Sequence, residues 1–167
     1  SEMCIRDRPR GAIALVSKSG QPILAAVYDS VHDHLFEAVV GGGVTLNGKP
    51  ISMDSAADRE PQRTIWFADR SLSSYPYYEP VKNHFDVRFV GGAVMNGLQL
   101  LTQPNSVYVK AKKPSRSGCA IWDLAAVALM VQESAGTAQT YDGKPLNLNR
   151  RQTIFFNDIG FAFASAD

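Results

Sequence analysis

The run from Ile121 to Ser134, closed by Ala135-Gly136, constrains this chain more than any other stretch. It reads as the clearest helix of the sequence, with a glycine at its end. Its first turn carries Asp123, followed by Leu124, Ala125 and Ala126, whose small or apolar side chains let that end pack close to a sheet. Predicted strands flank it at Ser106 to Lys110 and Thr137 to Thr140, and a second helix is predicted over Gly91 to Leu101, where Met95, Leu98 and Leu101 share a face. Helices and strands alternate through this half of the chain. That alternation predicts layered α/β architecture and argues against a pure β fold.

The first half reads as strands and turns. Gly11 to Val16 and Ile23 to Tyr28 form a hairpin around Ser17-Lys18-Ser19-Gly20, and Leu35 to Val40 is a third strand. Gly41-Gly42-Gly43 and a tight turn at Asn47-Gly48 follow. Residues 52 to 62 and Ser71 to Pro80 read as loops, with strands at Thr64 to Ala68 and Val87 to Val90. At the far end, Asp142-Gly143 turns the chain, and Thr153 to Phe156 and Phe161 to Ala164 are further expected strands.

The 167 residues are 45% hydrophobic, enough for one sizeable core. A net charge of +1 gives no long-range field toward a nucleic acid polymer or an anionic membrane. No apolar run approaches the ~20 residues of a membrane span. The two cysteines, Cys4 and Cys119, lack a pairing signature, which suits a reducing compartment and predicts a cytoplasmic location.

Mg²⁺ takes oxygen ligands, commonly one or two carboxylates with water and substrate phosphate. An aspartate in the first turn of a helix is held rigidly enough to serve, and Asp123 stands there. By itself that position is more often a helix cap or a partner of the helix dipole. Its context changes the weighting. Trp122-Asp123-Leu124-Ala125-Ala126 and then Glu133-Ser134-Ala135-Gly136 resemble the C-terminal signature of the inositol monophosphatase superfamily, departing at Ala135, where glycine is common. The run Gly41 to Pro50 looks like that family's glycine-rich hairpin. Val90-Gly91-Gly92-Ala93-Val94-Met95-Asn96 looks like its substrate-cradling helix start, and Asp142 to Leu146 like its late turn.

The resemblance covers roughly residues 11 to 165. It implies a layered α/β sandwich with an incomplete first layer, and Mg²⁺-dependent hydrolysis of a phosphate monoester. It makes Asp123 a metal ligand. Gly91, Gly92 and Ala93 become substrate-binding backbone at a helix start. Lys110, Lys112, Lys113 and Arg116 form a basic stretch before Asp123, with Lys110 and Arg116 as candidates for meeting a second phosphate. Tyr108 to Pro114 looks most like the branch that hydrolyses 3′(2′),5′-bisphosphate nucleotides; inositol monophosphates and fructose 1,6-bisphosphate are the other substrates considered. The family's remaining metal ligands come from an upstream glutamate and an Asp-Pro-x-Asp-Gly-Thr segment, neither of which occurs here. The expectation is therefore a chain that is inactive or nearly so as given. The alternative is a non-catalytic binding or regulatory module that has lost its metal site.

Residues 1 to 10 stand apart. Ser1-Glu2-Met3-Cys4-Ile5-Arg6-Asp7-Arg8 is polar and aperiodic and has no signal-peptide apolar stretch. It resembles translated sequencing-adapter DNA, so the phosphatase-like portion is expected over 11 to 167; a native disordered tail is the other reading. An incomplete first layer would expose apolar surface and favour homodimers.

The remaining candidates have structural readings. His32 and His34 would share a face of an extended segment but lack a third ligand, and His84 stands alone. Gly41-Gly42-Gly43 is not a P-loop, because no Gly-Lys-Ser/Thr follows. Glu133 lies ten residues past Asp123, and ten steps of ~100° turn it off that face. Cys119 has basic neighbours but no catalytic partner nearby in sequence.

Overall fold

The structure, a computed structural model, describes residues 12–51, 63–113 and 118–166. Two five-stranded sheets form its frame. The first is a meander of β1 (Ala12–Lys18), β2 (Gln21–Asp29), β3 (His34–Val39), β4 (Gly43–Leu46) and β5 (Lys49–Pro50), each antiparallel to the next. Its tight turns are where the sequence predicts them. At Asn47-Gly48 both residues have positive φ, 50° and 75°, the backbone whose twist suits a two-residue hairpin. Asn47 secures that turn further: its Oδ1 accepts the Leu35 N–H at 2.7 Å and its Nδ2 donates to the Asp33 carbonyl at 3.0 Å.

The second sheet is assembled from distant segments. Its strands are β6 (Ile65–Phe67), β7 (Asp86–Arg88), β8 (Ser106–Lys110), β9 (Thr137–Thr140) and β10 (Phe161–Ala164), in the order β7-β6-β8-β10-β9. β6 runs parallel to both β7 and β8, whereas β10 is antiparallel to β8 and β9. Among the described residues three α-helices accompany the sheets: α1 (Tyr78–Val81), α2 (Ala93–Gln99) and α3 (Ile121–Glu133).

α3 is the keystone of the packing. Every residue from Leu124 to Val131 is buried, because α3 lies against β2 and β3 on one side and contacts α2, β9 and β10 as well. A helix covered on several sides has no polar face to keep, which explains its apolar sequence. α2 approaches it closely at Gly97, where an added Cβ would sit 2.2 Å from a Val127 methyl. At its far end Ala135 takes φ 63°, and Glu133 Oε2 accepts the Gly43 N–H at 3.1 Å, tying α3 to the first sheet. This is the structural role expected for Glu133.

Two expectations are corrected. Ser71 to Pro80 is not a plain loop: a 3₁₀ turn over Arg70–Ser74 and the single turn of α1 occupy much of it. Leu72 buries itself beside Trp66 and Ala68, with Tyr75, Tyr77 and Tyr78 packed around them, while the Ser74 hydroxyl donates to the Ser71 carbonyl at 2.7 Å. Thr153 to Phe156 is not a strand: it makes one isolated bridge, Ala120 to Phe155. Phe156 is buried, but its backbone serves the loop, with its N–H donating to Cys119 at 2.8 Å and its carbonyl accepting from Gly160 at 2.7 Å. The expected loop at 52 to 62 lies outside the described residues. Among the described residues no helix is long and apolar enough to cross a membrane.

Candidate functional site

The carboxyl ends of parallel strands are where open α/β sheets offer their crevice. Here β7, β6 and β8 run parallel, and chemically distinctive residues follow each strand: Gly91-Gly92 after β7, Asp69 after β6, and Lys110 as the last residue of β8. Asp69 joins them. Its Oδ1 accepts from Asn96 Nδ2 at 3.2 Å and from the Tyr108 hydroxyl at 3.1 Å. Its Oδ2 accepts from Lys110 Nζ at 2.5 Å. Asn96, fully buried in α2, also donates from Nδ2 to the Gly91 carbonyl at 3.2 Å, while its Oδ1 has no hydrogen-bond partner among the described residues. One carboxylate therefore ties the entry to α2 to the end of β8.

The electrostatics follow from burial and from this carboxylate. Burial pushes the Tyr108 hydroxyl well above its ordinary range, and the negative charge of Asp69 adds to the effect, so the phenol is a neutral donor. Burial pulls the Lys110 ammonium down, but the charge and hydrogen bond of Asp69 outweigh it and the net shift is upward. Tyr77 is pushed up to about 12, chiefly by burial, although the Ala111 backbone partly offsets this. Asp69, Ser71, Leu72, Tyr75, Tyr77 and Lys110 line a shallow cleft. The Tyr75 and Tyr77 rings stand 5.3 Å apart, and Lys113 Nζ lies 5.7 Å from the Tyr75 ring centre.

Asp123 occupies the third position of α3. Its Oδ2 accepts the N–H of Ala120, the cap residue, at 2.8 Å, and its own N–H donates to the Ala120 carbonyl at 3.0 Å. The capping role is thus realised with one oxygen, and Oδ1 has no hydrogen bond among the described residues. The approach to α3 is clamped. Gly118 has φ 146°, a Cβ there would fall 2.0 Å from Asn157 Nδ2, and Asn157 Oδ1 accepts the Cys119 N–H at 3.2 Å. Cys119 is buried within electrostatic reach of Tyr108 and Lys110, which brings the approach to α3 beside the Asp69 cluster.

Of the residues singled out from sequence, Gly91 and Lys110 are therefore linked through Asn96 and Asp69. Gly92 caps α2 in extended backbone, and Ala93 opens the helix. No described hydrogen bond joins Asp123 to this network. Arg116 lies outside the described residues. His32 is engaged by Asp29 at 2.6 Å, and Asp29 also accepts the Val31 N–H at 3.0 Å, so this His and Asp organise a turn. Sequence reasoning missed Asp69, and it named Asn96 and Tyr108 only as members of motifs, without a role of their own. The available signal was an acidic residue placed directly after the apolar run Ile65-Trp66-Phe67-Ala68.

The inositol monophosphatase family model matches residues 12–160. The chain belongs to the inositol monophosphatase family. It is 26% identical to a fructose-1,6-bisphosphatase of Pyrococcus furiosus over 138 residues, covering 83% of this chain and 50% of that protein. It is 27% identical to an inositol-1-monophosphatase of Synechocystis over 142 residues, covering 81% and 47%. The chain thus spans about half the length of these curated relatives. A staphylococcal IMPase-II solved with 2′-AMP bound superposes with a TM-score of 0.71 at 18% identity, over 93% of this chain and 56% of that one. Its complex with inositol monophosphate gives 0.72. These superpositions establish the fold: mixed α/β with two sheets.

A metal centre of several ions needs several oxygen ligands. Among the described residues no group of three or more His, Cys, Asp or Glu is placed to hold a metal. The described donors therefore do not by themselves fit a multi-ion site.

Proposed function

We propose that residues 11 to 167 belong to the phosphatase domain of a Mg²⁺-dependent phosphoric monoester hydrolase acting on a small phosphate ester in the cytoplasm. The observation that carries this reading is the polar cluster at the carboxyl ends of β6, β7 and β8, in a chain whose family membership makes a phosphatase the expected activity. The same membership does not favour a non-catalytic module. In this reading Asp123 contributes one carboxylate oxygen to Mg²⁺. Gly91, Gly92 and Ala93 bind substrate oxygens through backbone N–H groups at the helix start, and Lys110 and Arg116 are the candidates for meeting a second phosphate. A bound Mg²⁺ would neutralise phosphate charge and acidify a water. This chain's own contribution is orientation: Asp69 fixes Lys110 and, through Asn96, the entry to α2.

The substrate classes consistent with this reading are 3′(2′),5′-bisphosphate nucleotides, which the stretch Tyr108 to Pro114 favours, inositol monophosphates and fructose 1,6-bisphosphate. The bound ligands of the staphylococcal relative support a small phosphate ester in general.

Phosphate release with Mg²⁺ and with chelator, against a 3′(2′),5′-bisphosphate nucleotide, inositol monophosphate and fructose 1,6-bisphosphate, tests the reading. The 167-residue chain is expected to show little or no release, whereas the chain extended with its gene's upstream sequence is expected to be active. Asp123→Asn should abolish that activity. Metal-independent release by the extended protein, or full activity of Asp123→Asn, would overturn the proposal. Mg²⁺-dependent turnover by the chain as given would overturn only its expected inactivity.

A further inference from the structure

Two histidines of the first sheet have no part in the hydrolase reading. They stand at the turn between β2 and β3, His32 within the turn and His34 as the first residue of β3. The fold sets their rings side by side, with centres 5.7 Å apart and planes at 30°.

Each ring is held from a different direction. Asp29 is 3% exposed; its Oδ1 accepts the Val31 N–H at 3.0 Å, and its Oδ2 lies 2.6 Å from His32 Nδ1. A carboxylate oxygen accepts, so Nδ1 carries the hydrogen, and the neutral ring keeps its lone pair on Nε2. His34 pairs with Asp29 across the ladder, and its ring meets that of the buried Phe36 at 6.0 Å and 85°. The turn itself is tied down. The Tyr28 hydroxyl donates to Asp33 Oδ1 at 2.9 Å, and Asn47 Nδ2 donates to the Asp33 carbonyl at 3.0 Å.

An imidazole nitrogen binds Zn²⁺ at ~2.0–2.1 Å, which sets its ring centre roughly 3 Å from the ion. Two rings sharing one ion at a tetrahedral or wider angle then stand on the order of 5–6 Å apart. The His32–His34 spacing falls in that range. A carboxylate on the other nitrogen of a ligand histidine fixes its tautomer and makes it a better donor, and Asp29 is placed to do this for His32. Imidazole suits Zn²⁺, Ni²⁺ and Cu²⁺, whereas Mg²⁺ takes oxygen. Among the described residues no group of three such ligands is formed, so water fills the other positions of an ion bound here.

We propose that His32 and His34 form a two-imidazole site for a divalent transition-type cation such as Zn²⁺, with Asp29 as the residue that positions His32. The site shares no residue with the Asp69 cluster or with Asp123, and it does not rest on the hydrolase reading.

The test is a titration of the 167-residue chain with Zn²⁺, followed by NMR at the imidazole C–H signals of its three histidines. The His32 and His34 signals should move together along one binding curve. The exposed His84, which has no histidine neighbour, should stay in place and serves as the internal control. Mg²⁺ at the same concentration should move none of them. His34→Gln should weaken the response of His32 roughly tenfold or more, because the ion loses one of its two protein ligands. Asp29→Asn should weaken both responses roughly tenfold, the usual loss when the partner of a ligand histidine is removed. Zn²⁺ should also raise the melting temperature of the unmodified chain and not that of His34→Gln.

No response of His32 and His34 to millimolar Zn²⁺, a response of His84 equal to theirs, or an unchanged His32 affinity in His34→Gln would each overturn the site. Unchanged affinity in a folded Asp29→Asn would overturn the role of Asp29. If Asp29→Asn does not fold, His34→Gln and its counterpart His32→Gln, both with substitutions of side chains at the turn, carry the test. None of these readouts needs turnover, so their failure leaves the hydrolase reading standing, and a failed hydrolysis assay leaves them interpretable.

Discussion

The two sheets have the same number of strands and opposite ways of being built. In the first, each strand pairs with its neighbour in sequence, and short turns such as Asn47-Gly48 set the register. In the second, β6 lies between β7 and β8, and β10 inserts between β8 and β9, so each pairing closes a long stretch of chain. The polar cluster of Asp69, Asn96, Tyr108 and Lys110 belongs to the second sheet and its helix. A meander of adjacent hairpins gathers few distant side chains. Parallel strands joined by crossovers bring their carboxyl ends together, and that is where a site can be assembled. The first sheet supports α3; the second sheet carries the polar cluster.

The largest test of this contrast is Gly118→Ala. Positive φ and a Cβ 2.0 Å from Asn157 Nδ2 both oppose it. A loss of about 2–5 kcal/mol is expected in chemical denaturation, because a strained conformation and overpacking act together. A change below about 0.5 kcal/mol, the usual range of a surface substitution, would show that the approach to α3 is not clamped.

Gly97→Ala should cost about 1–3 kcal/mol through overpacking against Val127. Val127→Ala in the same chain should recover part of that loss, since the colliding methyl is removed. Additive losses in the double variant would mean that α2 and α3 do not meet as closely as described.

Asn47→Ala removes two side-chain hydrogen bonds and places alanine at φ 50°, all within the first sheet. About 1–2 kcal/mol of stability should go with them. The Lys110 resonances should stay where they are, because this turn is separate from the cluster. Tyr108→Phe is its counterpart in the second sheet. It should cost about 1 kcal/mol while visibly shifting Lys110. If both variants moved Lys110 alike, the division between the supporting sheet and the sheet of the polar cluster would fail.

The smallest effect is the acid response of Asp158. Its hydrogen bond and ion pair with Arg150 hold its carboxyl below the ordinary 3.8. A lowered folded-state pKa gives stability that is present above 3.8 and is lost as pH falls through the lowered value. Melting temperatures between pH 5 and pH 2 should fall more for the unmodified chain than for Asp158→Asn. The difference should be modest, since the Asp158 side chain is 51% exposed and screened by water.

Much of this architecture could be read directly from the residues. Strands at Ser106–Lys110, Thr137–Thr140 and Phe161–Ala164 and the helix from Ile121 follow from local pattern, and all are observed over those spans or within a residue. The misreadings share one cause. Phe156 suggested a strand because it is apolar, yet it is buried by a loop, and the serine- and tyrosine-rich stretch around Leu72 folds into short turns because Trp66 offers it a surface. Burial against a distant partner leaves no periodic trace.

The sequence by itself determined the family and the alternation of elements, and it set Asp123 at the start of its helix, because short-range pattern and ordered motifs specify these. Only the tertiary structure decided what Lys110 is paired with. Its partner Asp69 is remote in sequence, and nothing local in either segment says that β6 and β8 lie side by side and parallel. That adjacency, fixed by long-range strand pairing, changes a lone cation into a neutral donor–acceptor pair.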